Sequence, residues 1–165
     1  MRVGFTVVEL MIGVSIIGIL AAIAVPSVFR SSTQAKVSKA ILDIKEIAAD
    51  IDIFHLENGR FPDSLAEIKR DKRKDPWGRP YEYLNIETAG KDDKDDTGGK
   101  GGKGSKGGNG AKPRKDHSLH PINSGFDLYS KGEDGASNEP LTAKASRDDI
   151  IRANDGSFVG LASEY

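Results

Sequence analysis

From Gly4 to Phe29 the chain reads GFTVVELMIGVSIIGILAAIAVPSVF, apolar almost throughout. Glu9 is its one charge, and no charged residue occurs from Leu10 to Phe29. As a helix, Leu10–Phe29 is about 30 Å long, the thickness of one hydrocarbon core. A carboxylate set in such a segment is costly and needs a partner. Beyond Phe29 the pattern changes rather than ends. Val37, Ile41, Ile44, Ala48 and Ile51 recur at spacings of three and four, with Lys36, Lys39, Asp43, Lys45, Glu46 and Asp50 between them. That periodicity predicts an amphipathic helix laid on a core. No turn signal separates the two parts, so one long helix is expected from near Phe5 to near Leu56. Pro26 is expected to kink it, and Asn58-Gly59 to stop it.

Shorter elements follow. Ser64 and Glu67 have capping-box spacing, which predicts a short helix from Leu65 to Arg70. Asp75-Pro76-Trp77-Gly78-Arg79-Pro80 reads as a rigid turn. Alternation at 81–86 predicts a strand, and 126–130 a second. Asp155-Gly156 reads as a turn into a third at 157–159. Trp77, Tyr81, Tyr83 and Phe126 are read as turn and core packing. Residues 89–121 are mostly Gly, Lys and Asp with almost nothing apolar. That composition cannot bury enough surface to offset its ordering entropy, so the stretch is expected to be a flexible, solvated insertion. Its Lys residues are interleaved with Asp and lack an aromatic for stacking, which argues against nucleic-acid binding. His117 and His120 fall in the same stretch and form only a weak metal signal.

Whole-chain averages conceal this division. The 165 residues carry a net charge of −1, but the charge lies almost entirely beyond the apolar segment. There is no Cys, so disulfides do not hold the roughly 135 residues that follow the apolar run. A bound metal is one candidate staple. A secretory signal peptide is a poor reading, since its basic region would be one Arg and its apolar core unusually long. An ordinary single-span anchor is the other plain alternative. No nucleophile–base–orienter set and no phosphate-binding loop is visible.

Gly4-Phe5-Thr6-Val7-Val8-Glu9-Leu10 resembles the processing site of type IV pilin-like proteins. Within that superfamily the chain is most similar to the major pseudopilins of type II secretion. Three stretches carry the narrower resemblance: Asp75–Tyr83 as a turn-and-strand signature, Phe126–Gly135 as a strand leading into a calcium loop, and Ser146–Ile150 as the acidic exit of that loop. The insertion at 89–121 and the length of the loop from Asp134 to Asp148 depart from the family pattern.

The resemblance implies an α+β fold. Its long N-terminal helix would have a transmembrane apolar half and an amphipathic half packed on the domain. A small C-terminal antiparallel sheet and a calcium-type loop would complete it. The implied organisation is a leader at residues 1–4, a membrane and filament-core helix at 5–29, and a periplasmic domain at 30–165. A prepilin peptidase would cut between Gly4 and Phe5 and N-methylate Phe5. Glu9 would pair with the new amine of a neighbouring subunit; the alternative is that it only caps its own helix. Ca2+ would be held by Asp134, Asp148 or Asp149, Ser146 and the carbonyl of Lys131; without the resemblance this is a plain polar turn. Pro26, Gly13 and Gly18 either loosen the helix for packing or are ordinary features of a membrane helix.

The implied protein is no enzyme but a structural subunit. It would sit in the inner membrane as a single-pass protein with its C-terminal domain in the periplasm. From there it would polymerise as a homo-oligomeric helical filament, with minor pseudopilins and the inner-membrane assembly platform as partners. The count of positive residues flanking the span favours the opposite topology, and the motif is followed instead. The alternatives are a type IV pilin for adhesion, motility or DNA uptake, and a membrane-anchored periplasmic enzyme or calcium-binding module.

Overall fold

The computed structural model describes residues 4–89 and 112–165, with the side chains of 23–30 excepted. The elements are α1 (Val7–Asn58), β1 (Glu82–Asn85), α2 (Ile86–Ala89), β2 (Phe126–Ser130), β3 (Ile150–Ala153) and β4 (Phe158–Leu161). The chain divides into two compact units, one up to Lys36 and one from Val37 to Tyr165.

In the first unit the described apolar side chains, up to Ala22, have no cover. Phe5, Val7, Leu10, Ile12 and Ile17 are all more than half exposed. Among the described residues no helix is long and apolar enough to cross a membrane, and the described side chains of this half stop at Ala22. The kink expected at Pro26 lies outside the residues with described side chains, and the leader residues 1–3 lie outside the described chain.

The second unit is α+β. Its strands pair antiparallel in the order β1-β2-β3-β4. The register sets Tyr83 opposite Leu128, Ser130 opposite Ile150, and Ile151 opposite Gly160. From Val37 onward α1 packs its apolar stripe on one sheet face. Ile44, Ile47 and Ile51 are fully buried with Phe126, Leu128 and Ile150. Burying each such Ile contributes roughly 1.5–3 kcal/mol. The helix ends as Asn58-Gly59 predicts. Asn58 Nδ2 donates to the Phe54 carbonyl at 2.8 Å, and Gly59 follows at φ +69.

The other sheet face has its own small core of Ile122, Leu141, Ile151, Ala153 and Ala162. Ile150 and Ile151 serve opposite faces because side chains alternate along a strand. This second core corrects the reading of 89–121 as one solvated insertion. Residues 90–111 lie outside the described chain, but 112–121 are built into the domain. Lys115 bridges antiparallel to Pro121 and parallel to Pro140. Residues 112–121 and the long loop from Asp134 to Asp148 therefore pack on each other beside this second core.

Two other expectations change. Strand β3 is absent from the sequence reading, which assigned its first residue to an acidic loop; it is buried at all four positions. The helix expected over Leu65–Arg70 is a series of turns, with Lys69 at φ +58. The Glu67 carboxylate is drawn to the Asp63 N–H at 2.9 Å and to Arg60 at 2.8 Å, so it does not close a box on Ser64.

Candidate functional site

The N-terminal site begins before the first helical residue. Gly4, Phe5 and Thr6 precede α1 and are exposed, and the Gly4–Phe5 bond is therefore outside the helix. A Cβ at Gly4 would meet nothing within 4 Å, so the bond is open on that side. Thr6 is the helix cap. Its N–H and hydroxyl donate to Glu9 Oε2 at 2.9 and 2.8 Å, and Glu9 N–H donates back to Thr6 Oγ1 at 3.2 Å. That is a reciprocal capping box, Thr6-Val7-Val8-Glu9. In the isolated chain Glu9 thus compensates its charge locally. Both donors fall on one oxygen, Oε2.

The second site is the loop between β2 and β3, held at both ends by side chains from elsewhere. At its start the Asp75–Pro80 turn acts as a bracket. Asp75 is buried, and its Oδ1 accepts the N–H groups of Trp77 and Arg79 at 3.0 and 2.8 Å. Its Oδ2 accepts the Ser130 hydroxyl at 2.6 Å. Gly78 at φ +89 supplies the left-handed residue the turn requires. Arg79 then donates to the carbonyls of Gly132 and Glu133 at 2.6 and 3.0 Å. The sequence identified the turn; its grip on the loop was not readable there.

Each of the five calcium candidates has a hydrogen-bond partner within the chain. The Lys131 carbonyl accepts Gly135 N–H at 3.1 Å. Asp134 Oδ1 accepts Ala136 N–H at 2.7 Å, and Asp148 Oδ2 accepts Asp134 N–H at 2.9 Å. Ser146 Oγ bonds both the N–H and the carbonyl of Asn138, each at 2.9 Å. Asp149 is turned inward, where Arg114 Nη2 reaches its Oδ2 at 2.5 Å and the Ser137 hydroxyl donates to the same oxygen at 2.6 Å. Asp134 and Asp148 are adjacent, but Ser146 and Asp149 do not join them. Among the described residues no group of three or more His, Cys, Asp or Glu side chains is placed to hold a metal ion. His120 lies 3.9 Å from Asp116 at the surface and gathers no further ligand.

Arg114 is the residue the sequence reading missed. It is 3 % exposed, though it sits in a Lys/Gly-rich stretch. Its guanidinium bonds Ser137 Oγ as well as Asp149, and its Cζ lies 4.4 Å from the centre of the Tyr129 ring. Its backbone N–H donates to the buried Asp127 at 2.6 Å. Desolvation pushes the Asp149 carboxyl up to about 6, against the opposing pull of Ser137 and Arg114.

The chain is 38 % identical over 111 residues to the type II secretion system core protein G of Pseudomonas aeruginosa, covering 54 % of this chain and 78 % of that one. It is 33 % identical over 112 residues to the Aeromonas hydrophila protein of the same name, again over 54 % and 78 %. The corresponding Escherichia coli K12 protein is 31 % identical over 112 residues, covering 54 % of this chain and 77 % of that one. No family model and no solved structure matches. With more than two thirds of these relatives covered, the chain belongs to the family of the type II secretion system core protein G, the major pseudopilins.

Proposed function

We infer that the uncovered apolar half of α1 is the part that polymerises: it holds the subunit in the inner membrane and then forms the core of a type II secretion pseudopilus. The chain is a structural subunit of that pseudopilus, in keeping with its family. The observation that carries the assembly reading is the exposure of this helix. Phe5 is 84 % exposed, Val7 76 % and Ile17 68 %. A helix apolar on all sides is stable only in lipid or among other subunits. Its sequence continues without charge to Phe29, long enough to span a bilayer.

The accessible Gly4–Phe5 bond supports processing by a prepilin peptidase, which would leave Phe5 with a free, then methylated, amine. In the filament Glu9 accepts that amine from a neighbouring subunit, and two poorly solvated charges compensate each other. The folded domain from Val37 onward stands in the periplasm. Minor pseudopilins and the inner-membrane platform are its partners in assembly, and the filament supports export of folded proteins.

The test compares wild type with Gly4→Val and Glu9→Ala, scoring N-terminal mass, membrane insertion, filament formation and exoprotein release. Gly4→Val blocks cleavage. Glu9→Ala inserts and is processed but yields no filaments and no release. Normal filaments from Glu9→Ala would overturn the pairing. Long surface fibres with unimpaired release would favour a type IV pilin instead.

A further inference from the structure

We propose that the guanidinium of Arg152 is a seat for a carboxylate, and that in the filament it receives an acidic side chain of a neighbouring copy of this chain. The identity of that occupant rests on the reading of the chain as a filament subunit; the seat itself is tested in the dispersed subunit.

Arg152 lies on β3 and is only 5 % exposed. A guanidinium so deeply buried is ordinarily paired with an anion. Here it is held from one end and one face. Its Nη1 donates to Asn123 Oδ1 at 3.3 Å and to the Phe126 carbonyl at 3.4 Å, and its Cζ lies 4.0 Å from the centre of the Phe126 ring. Nε and Nη2, the edge that grips a carboxylate with two parallel bonds, have no hydrogen-bond acceptor among the described residues. Asp52 and Asp155 act on the guanidinium as nearby charges without bonding it. Both Asp155 oxygens are taken by Ser124, whose N–H and hydroxyl each donate at 2.8 Å. Burial holds the Arg152 guanidinium below the ordinary arginine value, against the pull of those two charges.

The free edge meets a groove. A cavity of about 360 Å³ is lined by Lys45, Ala48 and Ala49 of α1, by Gly156 and Ser157 of the turn into β4, and by Arg152. Gly156 keeps the edge uncovered, since a Cβ there would lie 3.4 Å from both Nε and Nη2. Lys45 is exposed and adds a second positive charge to the lining. Asp52 lines the same cavity, is also exposed, and opposes an incoming carboxylate. A copy of the chain supplies the complement. Glu57, Asp71 and Glu164 are exposed on the same folded domain and make no ion pair among the described residues. A filament subunit meets copies of its own domain, and complementary charges set the register of such a contact.

The experiment uses the full chain. Dispersed in detergent micelles and isotope-labelled at the arginine nitrogens, it is titrated with glutarate, and with sodium chloride at matched ionic strength. The Arg152 Nε–H resonance is expected to shift saturably with glutarate alone. Asp52→Asn removes the opposing charge and is expected to tighten glutarate binding roughly three- to tenfold. No shift beyond that in sodium chloride, or no gain from Asp52→Asn, would overturn the seat. The occupant is tested by filling the groove from within. Ser157→Glu places a carboxylate there, and Ser157→Gln an uncharged side chain of similar size. Ser157→Glu is expected to be processed and inserted normally but to lose most filaments, while Ser157→Gln assembles like wild type. Equal filament yield from the two variants, beside normal wild-type filaments, would sink the proposal and leave the filament reading standing. No filaments from wild type would overturn that reading and the occupant with it, and the glutarate titration would still decide the seat.

Discussion

Arg79 Nη1 donates to the carbonyl oxygen of Gly132 at 2.6 Å, joining the Asp75–Pro80 turn to the loop that leaves β2. The residues are far apart in sequence, yet the contact is fixed from both sides. Asp75 orients Arg79 through its backbone N–H, and Asp75 also holds Ser130 at the end of β2. A short turn thereby sets where the loop begins.

Removing this grip should cost measurable stability. Arg79→Ala loses two carbonyl bonds to a cationic donor and is expected to destabilise the domain by about 2–3 kcal/mol in urea titration. Gly135 tests the same contact from the loop side. It sits at φ +72, and a Cβ there would lie 2.5 Å from the Arg79 guanidinium carbon. Gly135→Ala should cost about 1–3 kcal/mol for the backbone alone, plus the displacement of Arg79. In the Arg79→Ala background only the backbone part remains. The two changes are therefore expected to be less than additive, and full additivity would show that Gly135 does not press on Arg79.

The sequence disclosed those elements whose signal is local. The period of Ile44, Ala48 and Ile51 locates the packed face of α1, and Asn58-Gly59 its end. Phe126–Ser130 is a strand as expected. Three features escaped because tertiary partners create them. Ile150–Ala153 is too short and too close to Asp148-Asp149 to show a strand signal, and only its two covered faces make it one. Arg114 is buried by a charge pair rather than by apolarity, so no hydropathy pattern marks it. Ser64 and Glu67 have the spacing of a capping box, but Arg60 and the Asp63 N–H hold the carboxylate. At the N-terminus the opposite occurred. Thr6-Val7-Val8-Glu9 has the same spacing and does form the box, with the Thr6 N–H and hydroxyl as the partners of the carboxylate.

The tyrosines in and beside the sheet predict an alkaline limit. Burial holds the Tyr81 hydroxyl well above the ordinary tyrosine value, reinforced by its hydrogen bond to Asp43 at 2.9 Å. Burial raises Tyr83 and Tyr129 in the same direction. The folded chain keeps these protons at pH values where the unfolded chain, near 10, has released them. Their contribution is therefore fully present below pH ~10 and is lost as pH rises from there toward the folded values. Urea titrations at stepped pH should show a falling midpoint above pH ~10. Tyr81→Phe removes a donor from the buried Asp43 and should cost about 1–2 kcal/mol at neutral pH. It should also make the alkaline fall shallower. An unchanged slope would place the alkaline sensitivity elsewhere.

Glu9 can act as a cap or as an intersubunit partner, and Thr6 separates the two. In the single chain Glu9 and Thr6 cap each other, and the cap does not require a charge, since Gln serves at this position of a capping box. Pairing with a neighbour's amine does require it. Glu9→Gln is therefore expected to preserve the start of α1 while abolishing filaments. Thr6→Ala is expected to weaken the first turn by about 1 kcal/mol and still support assembly. Helix start is read by amide exchange in micelles, and assembly by electron microscopy of sheared filaments. If Thr6→Ala blocks assembly as fully as Glu9→Gln, the cap is what the filament needs. If Glu9→Gln assembles normally, the charge has no part in it. The expected pattern, a lost cap with filaments and a kept cap without them, assigns Glu9 to the neighbouring subunit.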